Sequence, residues 1–567
     1  MPEARGAAAG PARAGEAPAP GRSRSATVAA GILLSRIMGF ARQRAVAYFF
    51  GTGPYADVFF FALRAPNLLQ NLLGEGTLSA SFIPIYSRML EEGREEEAGR
   101  FAGAIFGLLL ALAGALTLTG VFFAEPIVTL LAFGFRHSAA SVVDRFPLAV
   151  TAVRITFPMT GFLVLSAWAL GVLNSHRRFF LPYVAPAVWN ASIVAALVAA
   201  GHLMIAGRLA PGAAGISSAT LDRLLFAACL GALVGGLLQF GVQVPLVLRV
   251  LKGFRVSLST RVTGVRSAIR RFFPVVAGRG VAQLGGYLDI VLASLLAEGA
   301  LAAMGYALML YLLPISLFAM SVAAAELPEL SRSSGSAPAR IDRSLRQVAL
   351  LTVPTVVGYL VFGYVVAGAI FRTGSFGRAS NLLVYVTLAG FTLGLPASAG
   401  SRLFQNVFFA LGDTRTPAKI AAQRVTLAAV VSIPLMFWLD RFTVAAVWPG
   451  GPVPPEASSL HLGALGLALG SAVGAWWELV SLLRSARPRV DGIEIPWRAL
   501  GRMAGLAVAA AVPGTLLWWL LPRLHPLPLA VLVLGAFTSL YLGGAALARF
   551  PEMDSWLGRL GRRFRRR

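Results

Sequence analysis

About fourteen apolar runs of roughly 20 residues recur along this chain, each long enough to cross a hydrocarbon core about 30 Å thick as a helix. Their approximate centres are Ile37, Leu63, Leu110, Phe162, Ile193, Gly235, Gly285, Ile315, Val357, Phe391, Val430, Ala468, Ala509 and Gly535. Lipid offers no water to a backbone N–H or C=O, so runs of this kind must satisfy their own hydrogen bonds as helices. The predicted fold class is an all-α polytopic membrane protein. Only 13% of residues are charged, against about 25% in soluble domains, which argues against a water-soluble fold.

The net charge of +25 would suit a nucleic-acid partner if it formed one basic face with interleaved aromatics. Instead it sits in alternate loops. Arg88, Arg94 and Arg100 occupy one, Arg177 and Arg178 the next, then Arg249 to Arg271, Arg340 to Arg346, Arg415 with Lys419, and Arg484 to Arg489. The loops between them, such as Gly51 to Tyr55 and Pro449 to Glu456, have few or no basic residues. Basic loops face the cytoplasm, so the pattern predicts a bacterial inner (cytoplasmic) membrane protein with an even number of spans, both termini cytoplasmic and no nucleic-acid partner. Residues 1–24 lack the apolar stretch of a secretory signal and read as a disordered cytoplasmic tail.

An internal repeat appears at an offset of about 240 residues. Pro84-Ile85-Tyr86-Ser87-Arg88 recurs as Pro328-Glu329-Leu330-Ser331-Arg332, and Ala169-Leu170-Gly171 as Ala410-Leu411-Gly412, each ahead of a basic loop. An even repeat unit preserves topology, so two six-helix lobes, 25–252 and 253–485, are expected to be related by an axis along the membrane normal. The last two helices are appended over 486–550, and a basic cytoplasmic tail follows over 551–567.

Charge inside an apolar helix costs about 2.5 to 3.5 kcal/mol per residue at the centre and marks a partner or a wet cavity. The first two spans hold Arg36, Arg42, Arg44, Asp57 and Arg64. Arg36 lies deep. Arg42 and Arg44 read either as cavity residues or as interfacial anchors that snorkel. Asp57 either pairs with an arginine of the first span or serves a helix amino terminus. Pro66 weakens the helix beside Arg64 and Asn67, which suggests a bend lining a cavity. In the seventh span, Arg279 and Asp289 read either as cavity charges or as a structural ion pair.

Ser35-Arg36-Ile37-Met38-Gly39-Phe40-Ala41-Arg42, Phe50-Gly51-Thr52-Gly53, Ala56-Asp57, Pro66-Asn67-Leu68-Leu69, Glu75-Gly76 and Phe82-Ile83-Pro84 stand in one order and spacing. So does Gly412-Asp413-Thr414-Arg415-Thr416-Pro417-Ala418-Lys419 farther on. This sequence resembles the MurJ/MviN lipid II flippases over most of its length, thinning after about residue 485. The resemblance implies the multidrug/oligosaccharidyl-lipid/polysaccharide exporter fold, a central cationic cavity, and a hydrophobic groove beside the last two helices. Its implied partners are lipid II (an undecaprenyl-pyrophosphate glycopeptide), membrane lipids and the cell-wall synthesis machinery. It assigns transport roles to Arg36, Arg42 and Asp57, a nearby carboxylate to Glu75, and a basic position of span ten to Arg402.

Two departures accompany it. Gln70 stands where many members have arginine, and Leu308 with Met309 where they have an Asp-Arg pair, so Arg64 and Arg279 become candidate substitutes. The stretch around Ser432 and Met436 has no carboxylate, unlike members that bind sodium there.

Planar guanidinium forks suit pyrophosphate oxygens and keep their charge at physiological pH. The early arginines therefore favour an anionic lipid-linked substrate, with another oligosaccharide-lipid flippase or a multidrug antiporter of the same fold as rivals. A membrane enzyme would need converging acids, bases or metal ligands. The five histidines are scattered and no nucleotide-phosphate motif is present, so no enzyme activity, catalytic residue, metal site or cofactor is expected.

Overall fold

The computed structural model describes residues 22–136, 143–204, 217–316, 337–449, 452–490 and 492–553; within them the side chains of 22–27, 65, 68, 69, 75, 277–279, 281, 282, 284 and 337 are not described. The Pro328 to Arg332 half of the repeat, most of the amino-terminal tail and the end of the carboxy-terminal tail lie outside those residues.

The first group of helices comprises α1 (Arg22–Phe50), α2 (Pro54–Leu73), α3 (Glu75–Ser81), α4 (Ile83–Glu91), α5 (Glu95–Phe122), α6 (Ala124–Leu131), α7 (Arg145–Ser175), α8 (Phe180–Met204), α9 (Ser218–Gly241) and α10 (Val244–Val250). Here α1 lies on α8, α2 and α5 lie on α7, and α9 joins α7 to α8. The second group comprises α11 (Val265–Ser294), α12 (Ala300–Pro314), α13 (Ala337–Phe371), α14 (Arg378–Thr392), α15 (Leu395–Ala410), α16 (Arg415–Leu439) and α17 (Gly463–Ala486). In it α17 packs against α14, α15 and α16, and α14 against α12 and α13. Helices α18 (Trp497–Leu520) and α19 (Pro526–Leu547) pair with each other and dock on α13. Helix α11 touches both groups, meeting α2 and α3 on one side and α16 and α17 on the other.

Thirteen of the fourteen expected centres fall inside these helices, and Ile315 directly follows α12. Among the described residues, nine helices are long and apolar enough to cross a membrane by themselves, or ten if α14 and α15 form one broken span. The other expected spans miss that test for visible reasons: α1, α2 and α11 carry the intramembrane charges, and α12 has 15 residues.

Two prolines show how breaks are repaired. Pro66 has no N–H to offer the Ala62 carbonyl one turn earlier, and Thr156 of α7 donates its hydroxyl to that carbonyl at 2.9 Å. Helix α2 therefore continues through Pro66. Between α14 and α15 the axis bends by 42° ahead of Pro396, and the Trp476 indole donates to the Leu393 carbonyl at 2.9 Å.

Candidate transport site

The two helix groups meet tightly at one end. Asp57, in the first turn of α2, is fully buried. Its Oδ2 accepts from the Arg145 guanidinium at 3.2 Å and from the Gly299 amide at 2.7 Å, and its Oδ1 accepts from the Ala302 amide at 2.8 Å. The carboxylate thus sits on the amino terminus of α12, where free N–H groups and the helix dipole favour negative charge. Gly299 has φ +86 and its Cα faces the Thr52 carbonyl so closely that a Cβ would stand 2.2 Å from the oxygen. Only glycine combines that left-handed backbone with that approach.

Further bonds close the same end. Thr52 donates to Ser380 at 2.7 Å, the Tyr306 hydroxyl to the Gly51 carbonyl at 3.1 Å, and the Ser375 amide to the Tyr48 carbonyl at 2.8 Å. Arg44 reaches the Ile370 carbonyl at 3.2 Å at the end of α13, a cation on a helix carboxy terminus. Tyr306 is ringed by Phe60, Phe371 and Phe376 at centroid distances of 5.0, 4.9 and 5.5 Å. Polar bonds and aromatic packing form one seal.

Away from the seal, a cavity of about 470 Å³ opens among α11, α12, α15, α16 and α17. Its wall carries Asp289, Tyr311, Arg402, Gln405, Arg424 and Glu478, and it extends to Thr414 and Pro417 at the start of α16. Glu478 is buried, with Oε1 accepting from Gln405 at 2.8 Å and Oε2 from Arg424 at 2.5 Å. A carboxylate at this depth requires such partners. Arg402 is exposed and has no carboxylate within ion-pair distance among the described residues. Asp289 has Arg64 and Arg424 as charged neighbours.

The sequence candidates therefore divide. Arg402 lines the cavity, and Arg64 is a charged neighbour of Asp289 on its wall. Arg36 is exposed on α1 beside exposed Leu33, Leu34 and Ile37. Arg42 lies half-buried with its guanidinium 5.0 Å from the centre of the Trp189 ring, and its Nε has no hydrogen-bond partner among the described residues. Asp57 belongs to the seal and pairs with Arg145 rather than with an arginine of α1, because Arg42 turns to Trp189 and Arg44 to α13. Glu75 and Arg279 are placed in α3 and α11 by their backbones, and their side chains are outside the description.

Three residues escaped the sequence reading. Arg145 follows Asp144 at the start of a long apolar run and looks like an interfacial residue. Arg424 and Glu478 are 54 residues apart and flank different apolar segments. The available signal was their charge within or beside predicted spans; their partners were not readable.

A bundle of long apolar helices, sealed at one end and holding a charged cavity toward the other, defines a polytopic membrane transporter. The architecture matches a solved lipid II flippase MurJ in an inward closed conformation, with a TM-score of 0.68, 21% identity and coverage of 92% of this chain and 99% of that one. It also matches an inward-facing multidrug-resistance MATE transporter of the MOP superfamily, at 0.59, 15% identity, and 83% and 98% coverage. The lipid II flippase MurJ family matches residues 46–448. A probable lipid II flippase MurJ of Rhizobium tropici is 31% identical over 515 residues, covering 88% of this chain and 87% of that protein. The lipid II flippase MurJ of Burkholderia cenocepacia is 29% identical over 540 residues, covering 91% and 95%. The chain belongs to the lipid II flippase MurJ family.

Proposed function

We propose that this chain carries lipid II, an undecaprenyl-pyrophosphate glycopeptide, from the cytoplasmic to the periplasmic leaflet of the bacterial inner membrane by alternating access. Family membership over residues 46–448 is the observation that carries the reading. Both termini and the basic loops are cytoplasmic, which makes the seal around Asp57 periplasmic and the cavity inward-open. The lobes, 25–252 and 253–485, rock about that seal.

Arg36, Arg42, Arg64, Arg279 and Arg402 supply positive charge to the pyrophosphate, with Glu75 nearby; Arg64 and Arg279 compensate for Gln70 and Met309. Guanidinium groups match phosphate oxygens in pairs. Binding and reorientation need no bond to be made or broken, so the protein acts as a transporter without enzymatic chemistry. Membrane voltage acts on any net charge moved, at about 2.3 kcal/mol per unit charge per 100 mV. The cell-wall synthesis machinery is the expected partner on the receiving face.

The test is expression in cells depleted of their own lipid II flippase. Restored growth with lipid II accessible at the periplasmic face is expected. Drug export without lipid II movement would instead identify a multidrug antiporter of the same fold.

A further inference from the structure

A second cavity, of about 330 Å³, lies at the sealed end but outside the transport cavity, where α18 and α19 dock on α13 beside the start of α14. Arg372 and Arg378 line it, together with Tyr364, Asn381, Trp448 and Trp518. Neither arginine has a carboxylate within ion-pair distance among the described residues. Glu456 packs against Gly377 without pairing with either. Asn381 is fully buried; its Nδ2 donates to the Tyr364 carbonyl at 3.0 Å, while its Oδ1 has no partner among the described residues. The Tyr364 and Trp518 rings stack at 6.2 Å, 19° from parallel.

The depth of this cavity follows from its tryptophans. Trp448 and Trp518 form its wall, and Trp519 beside them is 78% exposed. Tryptophan collects at the level of lipid head groups. Exposed Leu520, Leu524 and Leu527 continue the surface around it, as lipid chains would require. Two uncompensated guanidiniums at that depth, walled by aromatic and proline residues, favour a phosphate bearing an apolar tail.

We propose that this cavity binds the phosphate head group of an anionic membrane lipid and thereby ties the α18–α19 pair to the α13–α14 edge. Two guanidinium forks hold the phosphate, the free Asn381 oxygen accepts from a head-group hydroxyl, and the acyl chains run along the exposed leucines. The site is independent of whether the chain carries lipid II.

Purified full-length protein is the object of the test, with native mass spectrometry for retained lipid and thermal unfolding for its effect. The probes are short-chain phosphatidylglycerol, the matching diacylglycerol without phosphate, and inorganic phosphate. Phosphatidylglycerol is expected to be retained and to raise the unfolding temperature, and the two other probes are not. Retention should fall about tenfold in Arg372→Gln/Arg378→Gln, the scale of losing bidentate charged contacts, and stay unchanged in Arg523→Gln, an exposed arginine of the same end. If the glutamine pair does not fold, Arg372→Lys/Arg378→Lys keeps the charges but loses the forks and should still retain several-fold less lipid. Equal retention by wild type and the folded double variant overturns the proposal. So does an equal effect of inorganic phosphate, which would make the cavity a site for a free anion, or of diacylglycerol, which would make it an apolar groove.

Discussion

The Asp57 carboxylate meets the Arg145 guanidinium at 3.2 Å with both side chains almost wholly out of solvent, 0% and 2% exposed. The same carboxylate takes two amides of α12, so one side chain joins α2, α7 and the second helix group. Removing one member of a buried pair leaves an uncompensated charge and costs about 3 to 5 kcal/mol. Arg145→Ala should therefore open the seal. A cysteine introduced at Thr52 should then become more reactive toward a thiol reagent, and an unchanged labelling rate would rule out Arg145 as a determinant of closure.

Gly299→Ala should act on the seal without altering any charge. Its φ of +86 and the 2.2 Å approach of a Cβ to the Thr52 carbonyl leave no room for alanine. Thr52 and Ser380 stand 2.7 Å apart at their hydroxyls, so cysteines at these positions report closure by disulfide yield. That yield should drop sharply when Gly299→Ala is added, with protein abundance measured alongside.

Within the cavity, Glu478 holds Gln405 and Arg424 together. Arg424→Ala strands a buried carboxylate and should destabilise the protein by about 3 to 5 kcal/mol. Adding Glu478→Gln removes that charge and should recover much of the loss, because residues in one network are not additive. Thermal unfolding of the two single variants and the double variant decides it; additive losses would mean that the two groups act separately.

Arg36 is exposed on α1 without an ion pair among the described residues, so its alanine variant should fold. Arg36→Ala should abolish lipid II movement at near-normal abundance, with Arg36→Lys restoring part of it, since an ammonium lacks the bidentate fork. The measurement is lipid II accessibility at the periplasmic face beside protein level. Normal translocation would remove Arg36 from the transport path.

Asp413 clamps two basic loops. Its carboxylate accepts from the Thr416 hydroxyl and amide, the Arg489 guanidinium and the Arg415 amide. Hydrogen bonds from Thr416, followed by Arg489, hold its pKa well below the usual carboxylate range. A carboxylate depressed in the folded state stabilises above its unfolded pKa of about 3.9 and loses that contribution only as pH falls through the lower folded value. Unfolding temperature should thus be insensitive to this group between pH 5 and pH 8, on the order of this window. Asp413→Asn should lower it throughout that window, and a deficit confined to acid pH would contradict the assignment.

Apolar run length determined the helices, because a 30 Å hydrocarbon layer admits only segments that satisfy their own backbone. It located the charged spans α1, α2 and α11 as the unusual ones, and the Ser35 to Arg42 and Gly412 to Lys419 motifs carried the family. Sequence also marked Arg402, which lines the cavity, and Arg64, a charged neighbour of Asp289 on its wall. What it could not decide is which charges meet. Asp57 lies 88 residues from Arg145 and over 240 from the α12 amides, and Glu478 lies 54 residues from Arg424. A buried charge announces that it needs a partner, since the energetic penalty is local to its own helix. Choosing the partner depends on how rigid helices cross in three dimensions, a relation that no periodicity along one chain encodes. The left-handed turn at Gly299 and the Thr156 hydroxyl spanning to Ala62 belong to the same class: each answers a neighbour supplied only by tertiary packing.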